Sequence, residues 1–142
     1  MAFSKISVTV PYEVNTVWNL VTDLTHFEWR SDIKAIKRLD EQTFVEVSNE
    51  GYETVFHTTK MEPNALWEFD LENSNMKGHF TGRFIGEGAN TTLEFCEDIT
   101  PKFAVLKLIV GIYLKKQQKQ YIKDIENGLS QYTNHTRGGH IS

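Results

Sequence analysis

The chain has 142 residues, with 15 Lys and Arg against 19 Asp and Glu and a formal net charge of −4, which is length enough for one domain with its own hydrophobic core. Acidic and basic residues are interspersed along most of it, which argues against the clustered basic stripe of a nucleic-acid surface. A single cysteine, Cys96, excludes an intramolecular disulfide and a cysteine-based zinc site.

Residues Phe3 to Val10 alternate between apolar and polar and predict a strand, although Lys5–Ile6 breaks strict register. Pro11 ends it, and Val14, Val17, Trp18 and Val21 then recur at helical spacing behind Glu13. Asp23 begins a break, after which "LTHFEWRSD" reads as a short second helix or a turn-rich segment. Ile33, Ile36 and Leu39 form an irregular strand with Lys34, Lys37 and Arg38 on its wet side. From Thr43 the period becomes two. Strands are expected at Phe44–Val47, Tyr52–Lys60, 66–72, Met76–Phe84 and around Leu93–Ile99, joined by the turns Asn49-Glu50-Gly51, Glu62–Ala65, Asn73–Asn75 and Gly86–Asn90. Five consecutive strands with short connections imply an antiparallel meander with one buried face. Gly78 and Gly82 lie on the aromatic face of Phe80 and Phe84, where they either let the sheet coil or relieve crowding.

The longest periodic segment is Pro101 to Leu129. Thr100 caps it, Pro101 fits its first turn, and Gly128 sits where a left-handed C-cap would stop it. At 1.5 Å per residue the helix would span roughly 40 Å. The tail 131–142 is expected to be disordered, leaving 1–130 as the single domain. Lys5 and Glu13 deny the start signal-peptide character. The apolar stretch 103–114 is too short to cross a bilayer and contains Lys107, so integral membrane association is not expected and a cytoplasmic protein is.

The order of strand, short helices, meander and long helix, together with "ISVTVPYEVNTVWNLVTDLTHFEWRSDIKAI" at the front, resembles the START-like (SRPBCC) superfamily. Asp23, Phe27 and Trp29 look like its "D…Y/F…W" signature, and Glu62-Pro63 with Trp67, Gly82 and the closing helix match further along. The resemblance covers about residues 3 to 129. It implies an α+β helix-grip fold: a curved antiparallel sheet of six or seven strands wrapped around the C-terminal helix, with two short helices. This superfamily includes Bet v 1-type, lipid-transfer and polyketide cyclase/dehydrase-like proteins. It implies a mostly apolar internal cavity for lipids, sterols or polyketides, in members many of which have no demonstrated catalysis. Two departures stand out: Arg30 follows Trp29 where a neutral residue is often found, and "SNEG" is a plain turn rather than a glycine-rich loop.

The leading expectation is a binder or carrier of a small hydrophobic ligand. The alternatives are a cyclase- or dehydratase-type enzyme and an interaction module without a true cavity. Candidate ligand-binding residues are Phe56, Trp67, Phe69, Met76, Phe80, Phe84 and Phe95 on the sheet, with Leu106, Val110, Tyr113 and Gln117 on the helix. Trp29 and Arg30 are placed at the cavity mouth, where a guanidinium could grip a carboxylate or anionic head group. The strand 52–59 is ambiguous in phase. Either Tyr52, Thr54, Phe56 and Thr58 point inward, or Glu53, Val55, His57 and Thr59 do, and the second choice makes Glu53 and His57 an acid/base pair. His26, His79, His135 and His140 show no metal-ligand spacing, and no metal or cofactor is expected. The apolar N-terminal half of the long helix, including Val105, Leu108, Ile109 and Ile112, predicts a homodimer contact.

Overall fold

The computed structural model describes the backbone of residues 2–141 and the side chains of residues 2–131 other than Leu108. The chain runs β1 (Ala2–Val10), α1 (Val14–Thr22), β2 (Ile33–Arg38), β3 (Thr43–Ser48), β4 (Glu53–Glu62), β5 (Leu66–Glu72), β6 (Met76–Glu87), β7 (Asn90–Pro101), a 3-10 turn (Ala104–Leu108) and α2 (Val110–Ile141). All seven strands form one sheet in the order β1-β7-β6-β5-β4-β3-β2, with every neighbouring pair antiparallel. The meander from β2 to β7 is a chain of hairpins, as the period-two patterning predicts. β1 then pairs with the last strand, so α1 and the loop 23–32 must carry the chain from one edge of the sheet to the other. The sheet's inner face packs against α2, which is the helix-grip architecture.

One aromatic ring from each of five successive strands builds that inner face. Phe44 stacks on its cross-strand partner Phe56 at 5.0 Å, Phe56 meets Phe69 edge-on at 5.2 Å, Phe69 stacks on its partner Phe80 at 4.5 Å, and Phe80 leans on Phe95 at 5.3 Å. Cross-strand aromatic pairs of this kind pin the register of a sheet. Gly82 belongs to the same packing. A Cβ there would stand 2.9 Å from the Phe80 ring and 3.3 Å from Phe95, so the glycine makes room for the rings. Gly78 likewise leaves space for Ile99 and for the Asp98 carbonyl.

Two expectations about elements are corrected, and one left open is decided. The long helix does not begin at Pro101. Thr100 and Pro101 remain paired with Lys77 and Met76, and the Lys102 N–H donates to the Asn75 carbonyl at 2.8 Å, so the sheet holds this segment extended. Nor does the helix stop at Gly128. That glycine allows close approach instead, since a Cβ there would lie 2.8 Å from Trp29 Cβ and 3.1 Å from Leu20, and α2 continues past it. The side chains of the tail 132–142 lie outside the described residues. Finally, of the two readings of "LTHFEWRSD", the turn-rich segment is the one found. The Asp23 carboxylate accepts from the N–H groups of Thr25 and His26 at 2.8 and 3.2 Å. This local bonding competes with helix continuation.

Candidate functional site: a cavity between sheet and helix

A cavity of about 630 Å³ lies between the inner face of the sheet and the N-terminal half of α2. Its apolar wall comes from Ile33 and Ile36 of β2, Phe44 of β3, Phe56 of β4, Trp67, Phe69 and Leu71 of β5, and Phe80 of β6. The helical side supplies Leu106, Ile109, Val110, Tyr113, Leu114, Gln117 and Tyr121, and the loop after α1 supplies Leu24, Phe27, Trp29 and Arg30. Trp67 is oriented by its own hydrogen bond, Nε1 donating to Thr58 Oγ1 at 3.1 Å.

Eleven of the thirteen sequence-derived ligand-site residues line this space: Trp29, Arg30, Phe56, Trp67, Phe69, Met76, Phe80, Leu106, Val110, Tyr113 and Gln117. Phe84 and Phe95 do not. Phe84 packs edge-on against Trp18 at 4.8 Å, and Phe95 is fully buried between Phe80 and Tyr121. The sheet leans on α1 and on residues 121–129 of α2 at that end, so these two rings are core.

The phase of β4 is settled by burial and removes the expected acid/base pair. Phe56 is buried, whereas Glu53 and His57 are exposed on the outer face. There Glu53 pairs with Lys37 at 3.1 Å, and His57 Nδ1 contacts Thr43 Oγ1 at 2.9 Å. The reason is the stacked pair Phe44–Phe56, which needs even-numbered residues of β4 on the inner side. Neither Glu53 nor His57 touches the cavity.

Arg30 reaches the cavity, but its guanidinium is already engaged. Its Nε and Nη2 donate to Asp32 at 3.0 and 3.1 Å, and its Nη1 and Nη2 donate to Glu46, both at 3.1 Å. The cation also lies over the Tyr121 ring at 5.1 Å and over the Trp29 ring at 5.8 Å. Burial works against its charge, and Glu46 above all overcomes that and holds the guanidinium firmly protonated. Two bidentate carboxylates take four of its five N–H donors and offset its charge, which corrects the expected role as a free anion grip. The signature residues serve this cluster. Trp29 Nε1 donates to the His26 carbonyl at 3.2 Å while its ring stacks on Tyr121 at 6.0 Å. Ser31 is tied to α2, its N–H and Oγ both 2.9 Å from Asp124 Oδ2.

Glu97 on β7 is the group that sequence reasoning missed. It shares the inward phase of Leu93, Phe95 and Ile99, and it lines the cavity. Burial, aided by the negative charge of Glu46, pushes its carboxyl up to about 7. No hydrogen bond to it is formed by a side chain among the described residues. The phase assigned to Leu93 and Phe95 was the available signal, because the same alternation carries Glu97 inside. Glu46 follows from Phe44 in the same way. Tyr121 completes the group: its hydroxyl, pushed above its usual range mainly by burial, stays protonated and can donate.

Neither a protein-family model nor a curated protein matches this sequence. Solved structures do match its shape. A START superfamily protein from Mycobacterium smegmatis is 15% identical with a TM-score of 0.85, over 93% of this chain and 99% of that one. Zhui aromatase/cyclase from Streptomyces sp. R1128 is 12% identical with a TM-score of 0.80, over 92% and 94%. The di-domain ARO/CYC BexL from the BE-7585A biosynthetic pathway is 10% identical with a TM-score of 0.81, over 94% of this chain and 48% of that one. The chain has the START-like helix-grip fold. At these identities the likeness is one of fold, and the chemistry rests on the residues of the cavity itself.

Proposed function

We propose that the cavity binds a small, mostly apolar, polyketide-like molecule and that Glu97 moves a proton on it, as in a cyclase or dehydratase. What carries this reading is a carboxyl that faces an aromatic cavity, receives no side-chain hydrogen bond among the described residues, and is pushed up to about 7 by burial. A general base works best when its pKa lies near the operating pH. As carboxylate, Glu97 would take a proton from carbon next to a carbonyl. As the resulting acid, it would return that proton to a departing hydroxyl or to the ring. Tyr121, held protonated, would donate to the carbonyl oxygen where enolate charge develops. The aromatic wall would hold a planar substrate by stacking and exclude water from the site. The described aromatase/cyclases of the same fold agree with this reading.

Passive binding is the second reading, favoured by the mutual ion pairing of Arg30, Asp32 and Glu46. One experiment separates the two. Enolisation of 2-tetralone is followed as hydrogen–deuterium exchange by NMR in heavy water, alongside quenching of tryptophan fluorescence by the same ketone. Wild type should accelerate exchange with a midpoint near pH 7, and Glu97→Gln should lose about 10²–10⁴-fold in rate while still quenching. Quenching without acceleration by the wild type would leave the carrier, and neither signal would dismiss both.

A further inference from the structure

The segment from Thr100 to Lys123 contains six lysines (102, 107, 115, 116, 119 and 123) and no aspartate or glutamate. The remainder of the chain therefore holds only nine of the fifteen basic residues against all nineteen acidic ones. This is a local inversion of charge on an acidic protein. Within the same segment the large apolar side chains are turned outward: Phe103 is 55% exposed, Val105 72%, Ile109 56% and Ile112 75%. Scattered exposed apolar residues are ordinary, whereas a contiguous group is a mark of an interaction surface.

Helical spacing arranges the two sets. Val110, Leu114, Gln118, Ile122 and Ile125 are buried, which turns Ile109, Ile112, Lys116, Lys119 and Lys123 toward solvent along the opposite stripe. Lys102 is spent on Glu72 at 2.7 Å, and Lys115 donates to the Lys5 carbonyl at 3.0 Å. Lys107, Lys116 and Lys119 have no ion-pair partner among the described residues. Ile109 and Tyr113 also line the cavity while remaining exposed, so the apolar patch is continuous with the cavity mouth.

We propose that this surface docks on an anionic lipid bilayer, with Phe103, Val105, Ile109 and Ile112 entering the acyl boundary and the lysines meeting the head groups. An apolar patch at the 3-10 turn and the start of α2, continued by a cationic stripe along α2, joins the two features by which a surface element binds an anionic membrane. Charge complementarity decides against a second copy of the chain as occupant. A two-fold contact would bring Lys107, Lys116 and Lys119 of both copies together with no acid in the segment to neutralise them. Docking in this way places the cavity mouth against a hydrocarbon phase, from which an apolar molecule could pass inward without crossing water.

The test is co-sedimentation of the full chain with vesicles of phosphatidylcholine, with and without phosphatidylserine. Wild type should bind the anionic vesicles and be released by salt. The exposed-face variants Ile112→Ser and Lys116→Glu/Lys119→Glu should each lower partitioning, the double charge reversal by at least about tenfold. Circular dichroism and 2-tetralone quenching should be unchanged in both. Failure to bind anionic vesicles overturns the proposal, as does equal binding with and without phosphatidylserine. A concentration-dependent dimer lost in Ile112→Ser, with no vesicle binding, would assign the patch to a second copy and also overturn it.

Discussion

Replacing Glu97 by Gln should stabilise the protein increasingly as pH rises from about 4.5 to about 7, and by a constant amount above that. In the folded chain this carboxyl ionises at about 7, against an ordinary value of 4.5. A raised value means that the neutral form belongs to the folded state. Its contribution is fully present below about pH 4.5 and is lost as pH rises through about 7. Above that, the folded protein carries an ionised carboxylate that it solvates worse than water does. The gap between 4.5 and about 7 corresponds to about 3 kcal/mol at 1.36 kcal/mol per pH unit. Water in an open cavity makes this an upper bound. Glutamine keeps the shape and removes the ionisation. Urea unfolding of both proteins should therefore coincide near pH 4 and separate progressively. By about pH 8, Glu97→Gln should be more stable by up to about 3 kcal/mol, or roughly 6–12 °C in Tm. The carboxyl carbon of Glu97, followed by NMR, should titrate over the same interval. A stability difference that does not change with pH, or a titration near 4.5, would refute both the buried placement of this carboxyl and its candidacy as a base.

Three other perturbations test the frame around the cavity. Gly128→Ala would gain about 1 kcal/mol of helix propensity in an ordinary helix interior. Here the added carbon meets Trp29 Cβ at 2.8 Å, and overpacking at about 1–3 kcal/mol wins. The melting temperature should fall, and a rise would show that α2 is not seated on Trp29. Arg30→Met should cost about 3–5 kcal/mol in denaturant unfolding by stranding Asp32 and Glu46, and most of the loss should return in Arg30→Met/Asp32→Asn/Glu46→Leu. An equal loss in single and triple variants would mean that packing of the side-chain stem, not the ion pairs, matters. His79, on the outer face, lies 2.7 Å from Asp70 and 2.8 Å from Glu68. Burial lowers its pKa, but hydrogen bonds to the two carboxylates overcome that and raise it above 6.5. Its stabilisation is thus complete below about 6.5 and disappears as pH rises past the raised value. His79→Gln should be less stable than wild type near pH 5 and equal to it near pH 9, and a constant deficit would contradict the clamp.

The alternation of β5 to β7 was legible residue by residue, because one buried face imposes period two on every strand. It placed Trp67, Phe69, Met76 and Phe80 on the cavity wall. Alternation alone could not separate wall from core, so Phe84 and Phe95 were included. What separates them is tertiary: α1 and residues 121–129 of α2 pack on one end of the sheet. β4 could not be phased from its own residues, since Thr54, Val55, Phe56 and His57 suit either face, and only the Phe44 ring decides. Arg30 looked free because its partners lie two and sixteen residues away on separate elements. The helix start failed for a related reason. Pro101 suits a first helical turn equally well as a strand end, and pairing with Met76 takes precedence. Glu97 was legible and was passed over, because a carboxylate at an inward position reads as an irregularity until a cavity is there to receive it.

The two ends of α2 are held in different ways, and the difference bears on how a ligand could reach Glu97. Toward the C-terminal side the helix is anchored by the large core of α1 and sheet residues, including Ile122, Ile125 and Leu129. Two buried polar contacts reinforce that anchorage. Gln118 exchanges bonds with Ser4, receiving from Oγ at 2.7 Å and donating to the carbonyl at 3.0 Å, and Asp124 receives from Ser31. Toward the N-terminal side, among the described residues, Val110 and Leu114 bury against Ile99, with Ala2, Leu71 and Met76 beside them. Each such side chain contributes on the order of 1.5–3 kcal/mol when fully buried, so freeing this small cluster costs far less than freeing the main core. The cavity lies between the two clusters, bounded on one side by Val110, Leu114 and Ile99 themselves. Local opening draws on the least stable contacts first. The segment that would swing is then the one carrying Ile109, Ile112 and Tyr113, which is where a ligand of the proposed kind would enter.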